Sequence, residues 1–105
     1  MAINAVVAVG NTNTTIYKSS NVSAVTMISL CNYSASGVSV SMHVVPGADS
    51  PGNSNIMMKD VLIPAGDTYM VYSAGEKLVM DNNDYINIIA DAGSSITSVV
   101  SYTGI

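Results

Sequence analysis

The chain has 105 residues, of which 10% are charged and 49% hydrophobic, with a net charge of -4 and a mean hydropathy of +0.40. Three lysines (Lys18, Lys59, Lys77) and no arginine cannot neutralise a row of phosphates, which excludes nucleic-acid binding and docking on anionic membranes. The apolar content excludes intrinsic disorder, and the length suits one domain.

In chain order, the first ten residues are small and apolar and are set off by Gly10-Asn11-Thr12-Asn13. Residues 1–13 therefore read as an N-terminal edge strand or as an arm that docks on a neighbour. They have no basic flank of the kind a secretory signal carries. Thr14–Lys18 reads as a short strand and Val22–Cys31 as a longer one, with Ile28 and Leu30 on one face. After a turn-rich link, Val38-Ser39-Val40-Ser41-Met42-His43-Val44 alternates strictly, which places Val38, Val40, Met42 and Val44 inward and Ser39, Ser41 and His43 outward. Pro46-Gly47 ends that strand, and residues 47–55 form a polar loop.

Residues 56–63 form the next strand. Pro64-Ala65-Gly66-Asp67 makes a turn in which glycine is free to take a positive φ. Thr68–Ser73 and the short Lys77–Met80 follow, separated by a turn at Ala74-Gly75. Asp81-Asn82-Asn83-Asp84 is a further turn. Tyr85–Ala90 is almost continuously apolar, as in a strand buried on both faces, and Ser95–Tyr102 is the last strand. No stretch carries a helical repeat, and Val plus Ile supply 24 residues. The expected fold is all-β: an antiparallel β-sandwich, jelly-roll or Ig-like, of about eight strands over residues 14–105.

No apolar run approaches the ~20 residues of a spanning helix, and the chain is short for a closed membrane barrel. The single cysteine, Cys31, allows no intrachain disulfide and points to synthesis in a reducing cytoplasm. Chemistry-bearing residues are sparse. His43 and Cys31 are the only members of their types. As a nucleophile and base they are outweighed by an outward histidine on an alternating strand and an inert strand cysteine. One His and one Cys do not make a zinc site. Asp81–Asp84 lacks the ligand spacing of a calcium loop and reads as a hairpin turn. Asp67 and Asp91 likewise sit in turns beside glycine. The glycines are scattered singly, so no phosphate loop exists. The expectation is a protein without enzyme activity, cofactor or metal.

Contact-surface candidates stand out more clearly. In Met57-Met58 the two side chains must leave opposite faces of a strand. Tyr69 and Tyr72 fall on opposite faces of another. The N-terminal segment offers Ile3, Val7 and Val9. These seven residues are the expected interface set. The scarce charge fits it: outward strand positions such as Ser39, Ser41, Thr97 and Ser101 carry neutral polar groups, which cost less to desolvate than charges. Such a surface suits covering by other subunits, and a homo-oligomer is expected.

The ordered pieces Ile16-Tyr17, Leu30-Cys31-Asn32, His43-Val44-Val45-Pro46-Gly47 and Pro64-Ala65-Gly66-Asp67-Thr68-Tyr69 continue with Glu76-Lys77-Leu78-Val79, Asp84-Tyr85-Ile86 and Ser101-Tyr102-Thr103-Gly104-Ile105. In order and spacing, over residues 14–105, they resemble small β-sandwich virion structural proteins of tailed bacteriophages. That resemblance implies a non-enzymatic subunit of the virion, made in the host cytoplasm. Its first expected role is a capsid decoration or cement protein on the major capsid protein. A tail, neck or baseplate/fibre-associated component is the alternative. A carbohydrate-binding adhesion module, using exposed tyrosines, is the alternative of another class.

Overall fold

The computed structural model describes residues 2–72, 78–93 and 95–104, with residues 2–9 and Tyr72 described by their backbone alone. Among the described residues the chain forms nine strands and no helix: β1 (Ala2–Val9), β2 (Thr14–Lys18), β3 (Ser23–Asn32), β4 (Val38–Val45), β5 (Ile56–Ile63), β6 (Thr68–Tyr72), β7 (Leu78–Met80), β8 (Tyr85–Ala90) and β9 (Ile96–Gly104). One sheet runs β1-β9-β3-β6, with β7 also on β3, and the other runs β2-β8-β4-β5. Every pairing is antiparallel.

The pairings nest. β1 lies on β9, β2 on β8, β3 on β6 and β7, and β4 on β5. The chain is thus a long hairpin folded over on itself. The further pairings β3 with β9 and β4 with β8 wrap it into two sheets. This is the jelly-roll topology, and it decides between the two sandwiches the sequence allows. β6 pairs with Ile28–Cys31 and β7 with Ser23–Val25. Together they form one edge strand in two halves, with nine labels but eight ladder positions. The turn expected at Ala74-Gly75 lies outside the described residues. The first segment pairs with β9 within its own chain, as an edge strand.

The core sits between the sheets. Ile28 and Leu30 of β3 and Val100 of β9 face Val40 and Met42 of β4 and Ile86 and Ile88 of β8, all buried. Ile16 and Tyr17 are adjacent in sequence yet both buried. A bulge between Thr15 and Tyr17 against β8 allows this by adding one residue and turning the strand. Tyr17 then ties the two sheets. Its ring lies 4.6 Å from that of Tyr102, and its hydroxyl shares a 2.8 Å hydrogen bond with Ser23 Oγ.

Two turns have specific causes. The Asp67 N–H donates to Pro64 O at 3.0 Å, and Gly66 takes a φ of +77°, which a side chain would resist. Asn32, expected in a link, instead ends β3 and holds that region together. Its amide donates to Ser36 O and Ile63 O and accepts from the N–H and hydroxyl of Ser34.

Two outward assignments need correction. His43 keeps the outer face of its sheet, opposite Asn87 on β8, but is only 8% exposed. The reason is the loop of residues 46–55, which folds back over that face. Asn55 O accepts from the Val44 N–H, and Asp49 O accepts from the Tyr85 hydroxyl. Ser101 is also buried, because its small side chain sits on β9 between β1 and β3.

Candidate functional site

Two surface features are candidates. The first is the side of the sandwich bounded by β5 and the split strand β6–β7. Register assigns its side chains to faces. Leu62 pairs with Ser39 on the outer face of one sheet and is 62% exposed. Met70 pairs with Ser29, and Val79 with Ala24, on the outer face of the other sheet. Both are exposed, Val79 at 62%. Tyr69 pairs with core-facing Leu30 and stands at the open margin between the sheets, 39% exposed.

The two edge strands differ in how they meet another strand. β5 carries Lys59 and Asp60, and Asp60 has a left-handed φ of 51°. The Asp60 N–H donates to Ser41 Oγ at 3.0 Å. Charge and an irregular backbone discourage strand addition along β5. The described residues of β6 and β7, Thr68–Tyr72 and Leu78–Met80, carry no charge at all. That edge is open to association.

The seven expected interface residues are spread over three strands, β1, β5 and β6. Met57 is exposed and Met58 packs against the core, so the expected split of the pair over two faces is what the strand does. Tyr69 is at the exposed margin. The side chains of Ile3, Val7, Val9 and Tyr72 lie outside the described residues, although their backbones belong to β1 and β6. β1 is at the far edge of its sheet from β6. Leu62, Met70 and Val79 were missed by sequence reasoning. The usable signal was that each sits on a strand at an outward, alternate position.

The second feature is a polar cleft of about 320 Å³ on the outer face of the β2-β8-β4-β5 sheet. Asn13, Thr15, Lys18, Pro51, Tyr85 and Asn87 line it. Cross-strand register builds its floor. Thr15 stands opposite Asn87, and Lys18 opposite Tyr85. Loop 46–55 supplies the wall. It is fixed by the Tyr85 hydroxyl on Asp49 O at 2.8 Å and by the Gly47 N–H on Asp84 Oδ1 at 3.0 Å. Within the loop, the Asn55 amide donates to Ser50 O and accepts from the Gly52 N–H.

Beneath this wall two buried polar atoms have no hydrogen-bond partner, His43 Nδ1 and Asn87 Nδ2. Asn87 is 3% exposed, and its Oδ1 accepts from the Thr15 hydroxyl at 3.2 Å. Buried polar groups are nearly always satisfied, so an orphan pair on facing positions marks a place built for something polar.

The acidic turn has a structural explanation. Asp84 Oδ2 accepts from the Asp81 N–H, and Oδ1 from Gly47. Asp91 accepts from the Ser39 N–H, and its own N–H donates to Ser39 O. Among the described residues no three His, Cys, Asp or Glu side chains gather where a metal could sit. Cys31 is half-buried on β3, between β6 and β9. No family model, curated protein or solved structure matches this chain.

Proposed function

We propose that this chain is a non-enzymatic structural subunit of a tailed-bacteriophage virion, first of all a capsid decoration or cement protein that stabilises the particle through subunit contacts. The observation that carries this reading is the β5/β6 side. It combines an edge strand whose described residues carry no charge with large exposed apolar groups at the margins of both sheets. The ordered strand-and-turn pieces that resemble phage virion proteins add to it. A jelly roll hosts capsid subunits among other proteins, which is an analogy of fold.

The mechanism is burial. Apolar surface removed from water contributes about 25 cal/mol per Å² before the costs of association. A stable contact needs on the order of 1,000 Å² in total. With little charge on the chain, few ions must be stripped of water when that surface is covered. A tail, neck or baseplate position uses the same surface and differs only in the neighbour.

Sedimentation velocity of the purified chain over a wide concentration range tests the surface. The expected result is growth of an oligomer with concentration, lost in Met70→Glu and Leu62→Glu while both variants keep the wild-type far-UV spectrum. A wild-type chain that stays monomeric throughout contradicts the homo-oligomer.

A further inference from the structure

The cleft under loop 46–55 lies at the β2–β8 end of its sheet, whereas β5 forms the opposite edge. A subunit that docks through its β5/β6 side therefore leaves the cleft facing solvent. We propose that this cleft is a saccharide-binding site, in which a sugar ring lies against Tyr85 and its hydroxyls hydrogen-bond with the exposed Asn13 amide and Thr15 hydroxyl.

The lining fits that chemistry. A sugar presents hydroxyls that both donate and accept, together with a face of C–H groups. The cleft offers amides from Asn13 and Asn87, the Thr15 hydroxyl, the Lys18 ammonium and one aromatic ring. Four of its six lining residues are polar, one is Tyr and one is the wall proline, and only Lys18 is charged. A nucleotide or another polyanion would find a single cation. An apolar ligand would leave the amides unpaired, at a cost. The volume is at the lower end of small-ligand pockets, as one or two sugar rings require.

The site is also preorganised. Tyr85 is held by its hydroxyl on Asp49 O, so its ring does not have to be ordered on binding. Thr15 is held by its hydroxyl on Asn87 Oδ1 at 3.2 Å, which fixes it on the cleft floor.

The test uses the full-length chain on an array of bacterial cell-surface oligosaccharides, followed by titration of the strongest hit and amide shift mapping by NMR. The expected result is a hit whose shifts centre on residues 13–18 and 85–87. Asn13→Ala and Tyr85→Ala should each weaken it about tenfold, the scale of one lost hydrogen bond or stacking contact. Asn13 is exposed, so Asn13→Ala keeps the fold and remains informative if Tyr85→Ala does not fold. No hit on the array overturns the proposal. So does a hit whose affinity survives Asn13→Ala with shifts centred on β5 and β6. Neither outcome bears on self-association through β5 and β6, which sedimentation reads separately.

Discussion

Replacing Asn32 with alanine is expected to cost about 3 kcal/mol and to lower the melting temperature by roughly 15 °C. Asn32 is fully buried at the end of β3. Its side chain makes four hydrogen bonds, at 2.8 Å to Ser36 O, 2.9 Å to Ile63 O, 3.0 Å from the Ser34 N–H and 2.7 Å from the Ser34 hydroxyl. Its backbone adds two more to the Pro64–Asp67 turn, donating to Asp67 O and accepting from the Gly66 N–H. One residue thus joins the β3–β4 link, the end of β5 and the turn before β6. Alanine leaves the Ile63 carbonyl without its amide donor in a buried place. Asn32→Asp should do at least as much harm, because a carboxylate then faces two carbonyl oxygens. Urea unfolding checks this. The midpoint should fall with an unchanged slope, since the loss is of native bonds and not of buried area. A shift under about 1 kcal/mol would show that water replaces these bonds.

Leu30→Ala should be of similar size for a different reason. Leu30 is fully buried on the central strand β3, beside Ile28 and Val100 in the core. Truncation removes transfer free energy and leaves a cavity, together about 3 kcal/mol. Leu62→Ala, at an exposed outer position of β5, should change the isolated chain by under about 0.5 kcal/mol. Parallel thermal melts of the two variants separate core from surface leucine. Equal losses would show that Leu62 packs inside the fold.

These residues also mark how far the sequence could be read. Strand positions followed from period-two alternation: Val38, Val40 and Met42 are buried as the pattern requires, and Ile28 and Leu30 share a face. The choice of jelly roll over Ig-like sandwich did not follow, because it depends on which distant strands pair. Ile16 and Tyr17 broke the alternation through a bulge that leaves no mark in composition. β6 and β7 read as separate strands because Ala74-Gly75 lies between them, although both extend the same edge of β3.

The cleft was the least legible feature. Loop 46–55 has no apolar residue beyond Pro46, Ala48 and Pro51, so nothing in it announces a packed position. It is held by backbone oxygens of Asp49 and Asn55, which carry no sequence signal. His43 therefore reads as a solvated side chain, and it is covered. Asn32 posed the same difficulty: a turn-former by type, it acts through Ile63, which only the fold brings near.

The central claim is that this jelly roll is built into a particle through its β5/β6 side. Cryo-electron microscopy of the proposed phage virion tests it most directly. The predicted result is jelly-roll density on the particle with Leu62, Tyr69, Met70 and Val79 against a neighbouring subunit and the β2–β8 cleft facing outward. Particles that lack the chain, or that hold it with the β5/β6 side bare to solvent, would contradict it.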